Sequence, residues 1–399
     1  MNKLSIAFII VVIGFACSSR SNKIVTDESA IIDEGISTIK IQNEYDNLLQ
    51  VDSIFESIEA IPLETNKQCM ISSVGKILIV DSCIYLQNQN TNLFVFSTTG
   101  KFIREISHKG KGPGEFNSVR DFDIDNAGNI YILDFLQIQK YSGHGKFIEK
   151  YSFRYAPENT IQCNPLQFAL CGESNFYIWG GSFGIKNNIK NNIKNNLFLM
   201  YKMNKKGEIT ERYFPLKQKI QHNQNQFSKF SDYYNVVPWY GNNFIHKVNN
   251  NGVSRKYYID FGKRTMSVEV PEDYNSLSDF KAEMDQKYAN SIGNIIETEY
   301  WFYFTFNYKG YMKNVYYSKM LNKAFVSMPY PRVPNRVLPW MIHSSEGNDL
   351  IALIEPRIIL EDLKRDENMN EENKAIKDAL KNATINDNHI ILRCKMKKY

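Results

Sequence analysis

Residues 110–147 read GKGPGEFNSVRDFDIDNAGNIYILDFLQIQKYSGHGKF. A Gly-Pro-Gly turn leads into an alternating run carrying Val119, Phe122 and Ile124, and Asn126-Ala127-Gly128-Asn129 makes the next turn. Two further apolar runs follow, at 130–135 and 138–141, before Gly145-Lys146-Phe147 turns the chain back. Short strands separated by turn residues at this spacing predict one antiparallel sheet of three or four strands.

The pattern recurs outward from this stretch. Tyr85, Tyr131 and Tyr177 occupy matching second-strand positions 46 residues apart in each step, and the Gly-Lys-Phe returns at 100 and 145 are 45 apart. Gly207 and Gly252 repeat that spacing. The long gap from Gly145 to Gly207 holds an Asn-rich insert at 185–196, which lacks an apolar face and reads as a loop. Phe244-Ile245, the aromatic run at 300–306 and the apolar run at 350–353 continue the series as second strands of units four, five and six. Units of 40–50 residues with four short strands each predict an all-β, six-bladed β-propeller, in which neighbouring sheets bury each other's faces. The units read as 74–106, 121–153, 165–213, 236–261, a fifth around 300–308 and a sixth from 337. The strand at 54–63 has no unit of its own, and 389–396 ends the chain as an apolar strand, so these two are expected to close the ring together.

In unit five, alternation sets Tyr300, Phe302, Phe304 and Phe306 against Trp301 and Tyr303. Both faces are apolar, as a sheet packed between two others requires, so the rings read as core rather than as a ligand platform. Leu277, Phe280, Met284 and Tyr288 recur at helical spacing, and 361–382 reads as a second surface helix.

Through GKGPGEF, VRDFDIDNAGNIYILD and the GKF return, together with Tyr257-Tyr258-Ile259-Asp260-Phe261-Gly262-Lys263 and Asn386-Asp387-Asn388, residues 50–399 resemble the NHL-like six-bladed β-propeller family of bacterial lipoproteins. The match is densest in unit two. NHL repeats usually carry Arg-Ile in the third strand, whereas this chain has Gln137-Ile138, so a role tied to that arginine does not transfer. The resemblance implies a fold and an address more than an activity.

The 399 residues are 43% apolar and carry a net charge of +5, with basic residues dispersed rather than striped. That supports a large core and argues against nucleic-acid binding. Residues 1–17 read as a lipoprotein signal peptide: Lys3, an apolar run over 4–15, then Ala16 before Cys17 at the junction. The apolar run is shorter than the ~20 residues of a membrane-spanning helix. Gly14 departs from the usual lipobox leucine, and ordinary signal-peptidase cleavage is the alternative. Residues 18–50 read as a polar tether with a first ordered segment, and 51–399 as the propeller. The basic tether favours an outer-membrane anchor facing the periplasm. Five further cysteines lack CxxC spacing and read as buried thiols, with a Cys163–Cys171 pair as the alternative.

Candidate ligand-binding residues cluster where loops lead into first strands at the channel mouth: Arg120 and Asp121 before unit two, Trp239 and Tyr240 in VVPWY, and Arg336 and Trp340 around VLPW. Rim tryptophans suit stacking on a sugar, although filling the channel top is the plainer role. Gly180-Gly181-Ser182-Phe183-Gly184 matches the esterase pattern but precedes an Asn-rich loop instead of the helix that such a serine needs. No HxH or HExxH spacing and no phosphate-binding glycine loop occurs, so no metal or cofactor is expected. Asp123 and Asp125 are expected to shape the turn ending at Gly128. The expectation is a non-enzymatic lipoprotein that binds a ligand, a glycan or an envelope protein, in glycan uptake. The alternative is a propeller hydrolase or lyase with axial carboxylates or histidines.

Overall fold

The computed structural model describes residues 31–41, 54–106, 110, 112–153, 164–172, 175–181, 198–215, 227–238, 240–266, 277–328, 339, 341–365 and 370–399. Two strands precede the first complete blade, β1 (Ile32–Lys40) and β2 (Phe55–Pro62). Blade one is β3 (Val74–Val80), β4 (Cys83–Asn88), β5 (Asn92–Ser97) and β6 (Phe102–Ile106); blade two is β7 (Asp121–Ile124), β8 (Ile130–Asp134), β9 (Gln137–Tyr141) and β10 (Phe147–Ser152). Blade three is β11 (Asn164–Cys171), β12 (Asn175–Gly181), β13 (Phe198–Asn204) and β14 (Ile209–Pro215); blade four is β15 (Ser228–Phe230), β16 (Tyr233–Val236), β17 (Phe244–Asn249) and β18 (Gly252–Asp260). Blade five is β19 (Asn290–Glu297), β20 (Trp301–Tyr308), β21 (Tyr311–Ser318) and β22 (Lys323–Ser327). Blade six is β23 (Ile342–Glu346), β24 (Asp349–Ile354) and β25 (Ile390–Met396), completed by β2.

These sheets close into a six-bladed ring, as the repeat predicts. First strands line the axis: β7 lies against β3 and β11, β19 against β15 and β23, and β23 against β3. Each of the six spaces between blades holds one apolar core. Phe94 and Phe96 meet Ile351 and Ile391 between blades one and six, and Val95 meets Phe122 and Ile132 between one and two. Leu133 meets Phe176, and Trp179 meets Tyr234 and Val236. Ile245 and Ile259 meet Phe302 and Phe304, and Trp301 and Tyr303 meet Leu350 and Leu392. Strand β20 therefore divides its rings between two cores as its alternation requires, except that Tyr300, which precedes the strand and escapes its alternation, packs with Trp301 and Tyr303 instead of with Phe302.

Closure rests on β2 pairing antiparallel with β25, from Phe55 opposite Met396 to Pro62 opposite Ile390. Asn388 staples the join: its Oδ1 accepts from the Ile71 amide at 2.8 Å, and its Nδ2 donates to the carbonyls of Glu64 at 2.7 Å and Cys69 at 2.8 Å. Strands β2 and β25 are thus held by their ladder and by this side chain together.

Three features differ from the sequence expectation. Phe244-Ile245 lie in β17, the third strand of blade four, because that blade starts at 228, not 236. Its first strand, Ser228-Lys229-Phe230, is too short to show alternation. Within the span read as tether and first ordered segment, β1 adds to blade four as a fifth strand, parallel to β18, with Ile39 and Ile41 buried in the core between blades four and five. Among the described residues there are three α-helices in place of two: α1 (Leu277–Lys287), α2 (Pro356–Arg365) and α3 (Glu371–Ala379). The expected helix over 361–382 is divided because Asn370 caps α3, its side chain accepting from the Asn373 amide at 2.7 Å.

Candidate functional site at the channel mouth

Antiparallel blades place two kinds of connection on one face of the ring: loops leading into first strands and hairpins between second and third strands. First-to-second and third-to-fourth hairpins lie on the other. Arg120 precedes β7 and Phe135-Leu136 form the tip between β8 and β9, so both belong to the inlet face.

The GKGPGEF segment is bound to blade two by its own chemistry. Tyr141 donates to the Gly114 carbonyl at 3.1 Å, Gln139 donates to the Glu115 carbonyl at 2.7 Å, and the Asp134 carboxylate accepts from the amides of Asn117 and Ser118. Gly114 has φ +75°, and a Cβ there would lie 2.6 Å from the Phe147 side chain, so this turn requires glycine. The loop delivers Arg120, whose amide donates to Leu133 and whose guanidinium donates to the Pro165 carbonyl at 3.0 Å. The guanidinium also lies over the Phe135 ring, 4.0 Å from its centroid.

Phe135 was part of an apolar run in the sequence, yet it is 53% exposed and has φ +46°. An aromatic residue in left-handed backbone at a two-residue hairpin tip stands where Asn or Gly is usual. That mismatch, Asp-Phe-Leu-Gln at a turn, was the available sequence signal.

The other candidates have different surroundings. Asp121 is buried at the axis: its Oδ1 accepts from Lys76 Nζ at 2.9 Å and its Oδ2 from the Phe168 amide at 2.9 Å, which bolts blades one, two and three together. Burial raises the Asp121 carboxyl above its ordinary range, with Lys76 opposing. Burial works against the Lys76 charge, but Asp121 and Asp123 outweigh it and hold its pKa above the usual value. Tyr240, placed at the mouth by its sequence context, is 2% exposed beneath α1 among Met266, Phe280 and Met284, with its hydroxyl donating to Asp285 at 2.9 Å. Its ring is core. Trp239, Arg336, Trp340 and Cys17 lie outside the described residues, as does Cys163. Residues 237–240 follow β16 and precede β17, so VVPWY belongs to a second-to-third connection on the inlet face, whereas VLPW leads into β23.

Asp125 shapes its turn as expected, accepting from the amides of Ala127 and Asn129. Asp123 does not. Its carboxylate reaches across the axis to accept from the Tyr234 hydroxyl of blade four, while Lys229 of that blade donates to the Ile124 carbonyl at 2.9 Å. On the opposite side, buried Glu297 accepts from Lys319 at 2.7 Å, Lys256 at 2.9 Å, Tyr257 at 2.9 Å and Asn235 at 2.8 Å. Burial raises this carboxyl, but Lys256 and Lys319 outweigh that and leave it below its ordinary range. Among the described residues, no three His, Cys, Asp or Glu side chains gather as a metal-holding group. Cys69, Cys171 and Cys394 are buried thiols outside any disulfide, as expected, whereas Cys83 is only half-buried.

The ring and its cross-bolted axis define a six-bladed propeller. The chain belongs, over residues 36–395, to the family described as a domain of unknown function, DUF4934. It is similar in structure to a protein from Bacteroides fragilis inferred to be exported, at 15% identity and a TM-score of 0.69, covering 91% of this chain and 100% of that one. Looser likenesses are an inferred gluconolactonase, at 9% identity and a TM-score of 0.41 over 88% and 98% of the two chains, and a luciferin-regenerating enzyme, at 7% and 0.40 over 86% and 98%. No curated protein matches the sequence. No helix among the described residues is long and apolar enough to cross a membrane.

Proposed function

We propose that this protein is an exported, NHL-like, non-enzymatic binding propeller, anchored through lipid on Cys17 at the outer membrane and facing the periplasm. It takes a glycan at the channel mouth. The observation that carries this reading is the Arg120–Phe135 stack on the inlet face: an aromatic ring kept exposed in costly backbone, with a planar donor laid against it. Sugars stack on such rings through their C–H faces and accept hydrogen bonds from a guanidinium. Trp239, Arg336 and Trp340 extend the same mouth in this reading, while Asp121 helps hold the loop in place. Binding is favoured over cleavage because Asp121 and Asp123 are committed to bonds between blades, which leaves neither free to act as an acid or base.

The test is a glycan panel read with the wild-type chain and with Arg120→Ala, Phe135→Ser and Trp340→Ala. Loss of roughly tenfold or more in affinity, about 1.4 kcal/mol, is expected for each. Binding unchanged in all three variants overturns the site, and cleaved products detected by mass spectrometry replace binding with hydrolase or lyase activity.

A further inference from the structure

Two hairpin tips on the inlet face share a plan. In blade two, Asp134 pairs with Gln137 across the tip Phe135-Leu136; in blade five, Tyr308 pairs with Tyr311 across the tip Lys309-Gly310. Each tip holds a residue with a long side chain in left-handed backbone, Phe135 at φ +46° and Lys309 at φ +53°, where Asn or Gly is usual. Each also leaves an aromatic residue in water, Phe135 in the one and Tyr311, 62% exposed, in the other. Blade one makes the corresponding turn with Gln89-Asn90-Thr91 and presents no ring there.

Both tips are held in place. The Gly310 amide donates to the Asp285 carbonyl of α1 at 3.3 Å, and in blade two the Phe153 amide donates to the Leu136 carbonyl at 2.9 Å. The Arg264 guanidinium lies 5.8 Å from the Tyr308 ring centroid and is itself fixed by the carbonyls of Ile41 at 2.7 Å and Phe261 at 3.2 Å. Lys309 Nζ lies 5.4 Å from the same ring. Tyr308 is thereby clamped, and Tyr311 stands beside it, because directly paired residues share a face of the hairpin. Blades two and five are three apart in a ring of six, so the two exposed rings stand on opposite sides of the mouth. A tip between second and third strands lies ~7 Å outward of the first strand lining the axis, so the channel plus about 14 Å separates the two.

We propose, resting on the glycan reading above, that the ligand of this mouth is an extended glycan chain laid across it, with one sugar on Phe135 and another on Tyr311. A mono- or disaccharide reaches only one of these rings. Tyrosine suits the second contact, because its face stacks on sugar C–H groups while its hydroxyl meets sugar hydroxyls. Once one end of a chain is bound, the other end meets the opposite rim at a high effective concentration. Two weak contacts therefore give an affinity that neither has alone.

Calorimetric titration of the full chain with matched di- and decasaccharides of xylan, mannan, β-glucan and homogalacturonan tests this. The glycan that binds should gain roughly a hundredfold in affinity from the shorter to the longer form, of which about tenfold is the larger number of registers a long chain offers. Tyr311→Ser should remove the remainder and leave the disaccharide affinity as in the wild type, whereas Tyr311→Phe, which keeps the ring, should keep the gain. Phe135→Ser should weaken both lengths. A length gain equal in the wild type and Tyr311→Ser, or one lost in Tyr311→Phe, overturns the inference while leaving glycan binding in place. No binding to any of the four at either length removes the glycan reading as well. Sedimentation showing a dimer that Tyr311→Ser dissociates would also overturn it, by assigning the tip to a second copy.

Discussion

Lys76 of the first strand of blade one stands 2.9 Å from Asp121 of the first strand of blade two, with both side chains largely withdrawn from water. The lysine also donates to the Phe122 carbonyl at 2.7 Å, and the second carboxylate oxygen of Asp121 accepts from blade three. One ion pair therefore ties three blades at the axis. Removing one partner from a buried pair leaves the other charge unsolvated. Lys76→Met is expected to cost about 3–5 kcal/mol in urea unfolding, while Lys76→Met/Asp121→Asn should recover a good part of that loss. Equal destabilisation by the single and double variants would show that the pair is not the source.

Ring closure depends on Asn388, the last residue before the closing strand's approach. Asn388→Ala removes one acceptor and two donor bonds between 388 and 64–71, all from a buried side chain. At ~1 kcal/mol per net bond plus the cost of stranded partners, a loss of about 3 kcal/mol is expected. Hydrogen exchange should rise first in β2 and β25, because they lose their staple while the other blades keep theirs. Uniform exchange through all six blades would contradict that.

The Gly-Lys-Phe return is a packing requirement as well as a turn. Gly100 has φ +82°, and a Cβ there would lie 2.2 Å from the Pro62 carbonyl oxygen of the neighbouring blade. Gly347 has φ +58° with nothing within 4 Å. Gly347→Ala should cost about 1 kcal/mol from backbone strain alone, and Gly100→Ala clearly more, because backbone must move. Similar midpoints for the two variants in thermal unfolding would argue against the close approach.

Acid should destabilise the ring in two stages. Burial, with Arg255 adding to it, pushes His246 down from its ordinary 6.5 to about 3, and burial takes His343 to about 4. Both are neutral when folded but take up protons in the unfolded chain below pH 6.5. Stability therefore falls as pH drops from that value, by up to about 1.4 kcal/mol per pH unit for each group. The Glu297 contribution, present above its unfolded pKa near 4.5, is then lost at lower pH as the folded carboxylate titrates. His246→Leu should make the slope between pH 6.5 and 4 shallower while preserving the later fall, measured as urea midpoints across pH.

The sequence by itself determined the ring. Tyr85, Tyr131 and Tyr177 at constant spacing mark sheets that cannot hide both faces alone, and the orphan strands at 54–63 and 389–396 supply the closure. Alternation along β20 also fixed which of the rings from Trp301 to Phe306 share a face, since side-chain direction in a strand is local information. Blade four was read out of register because a three-residue polar strand carries no period. Only the tertiary structure decided where Tyr240, Asp121 and Phe135 would stand relative to water. The first is roofed by a helix that follows it by some forty residues, the second meets a lysine from another blade, and the third is turned outward by a backbone φ that composition does not reveal. Contacts between repeats are set by the curvature of the whole ring, which no single repeat encodes.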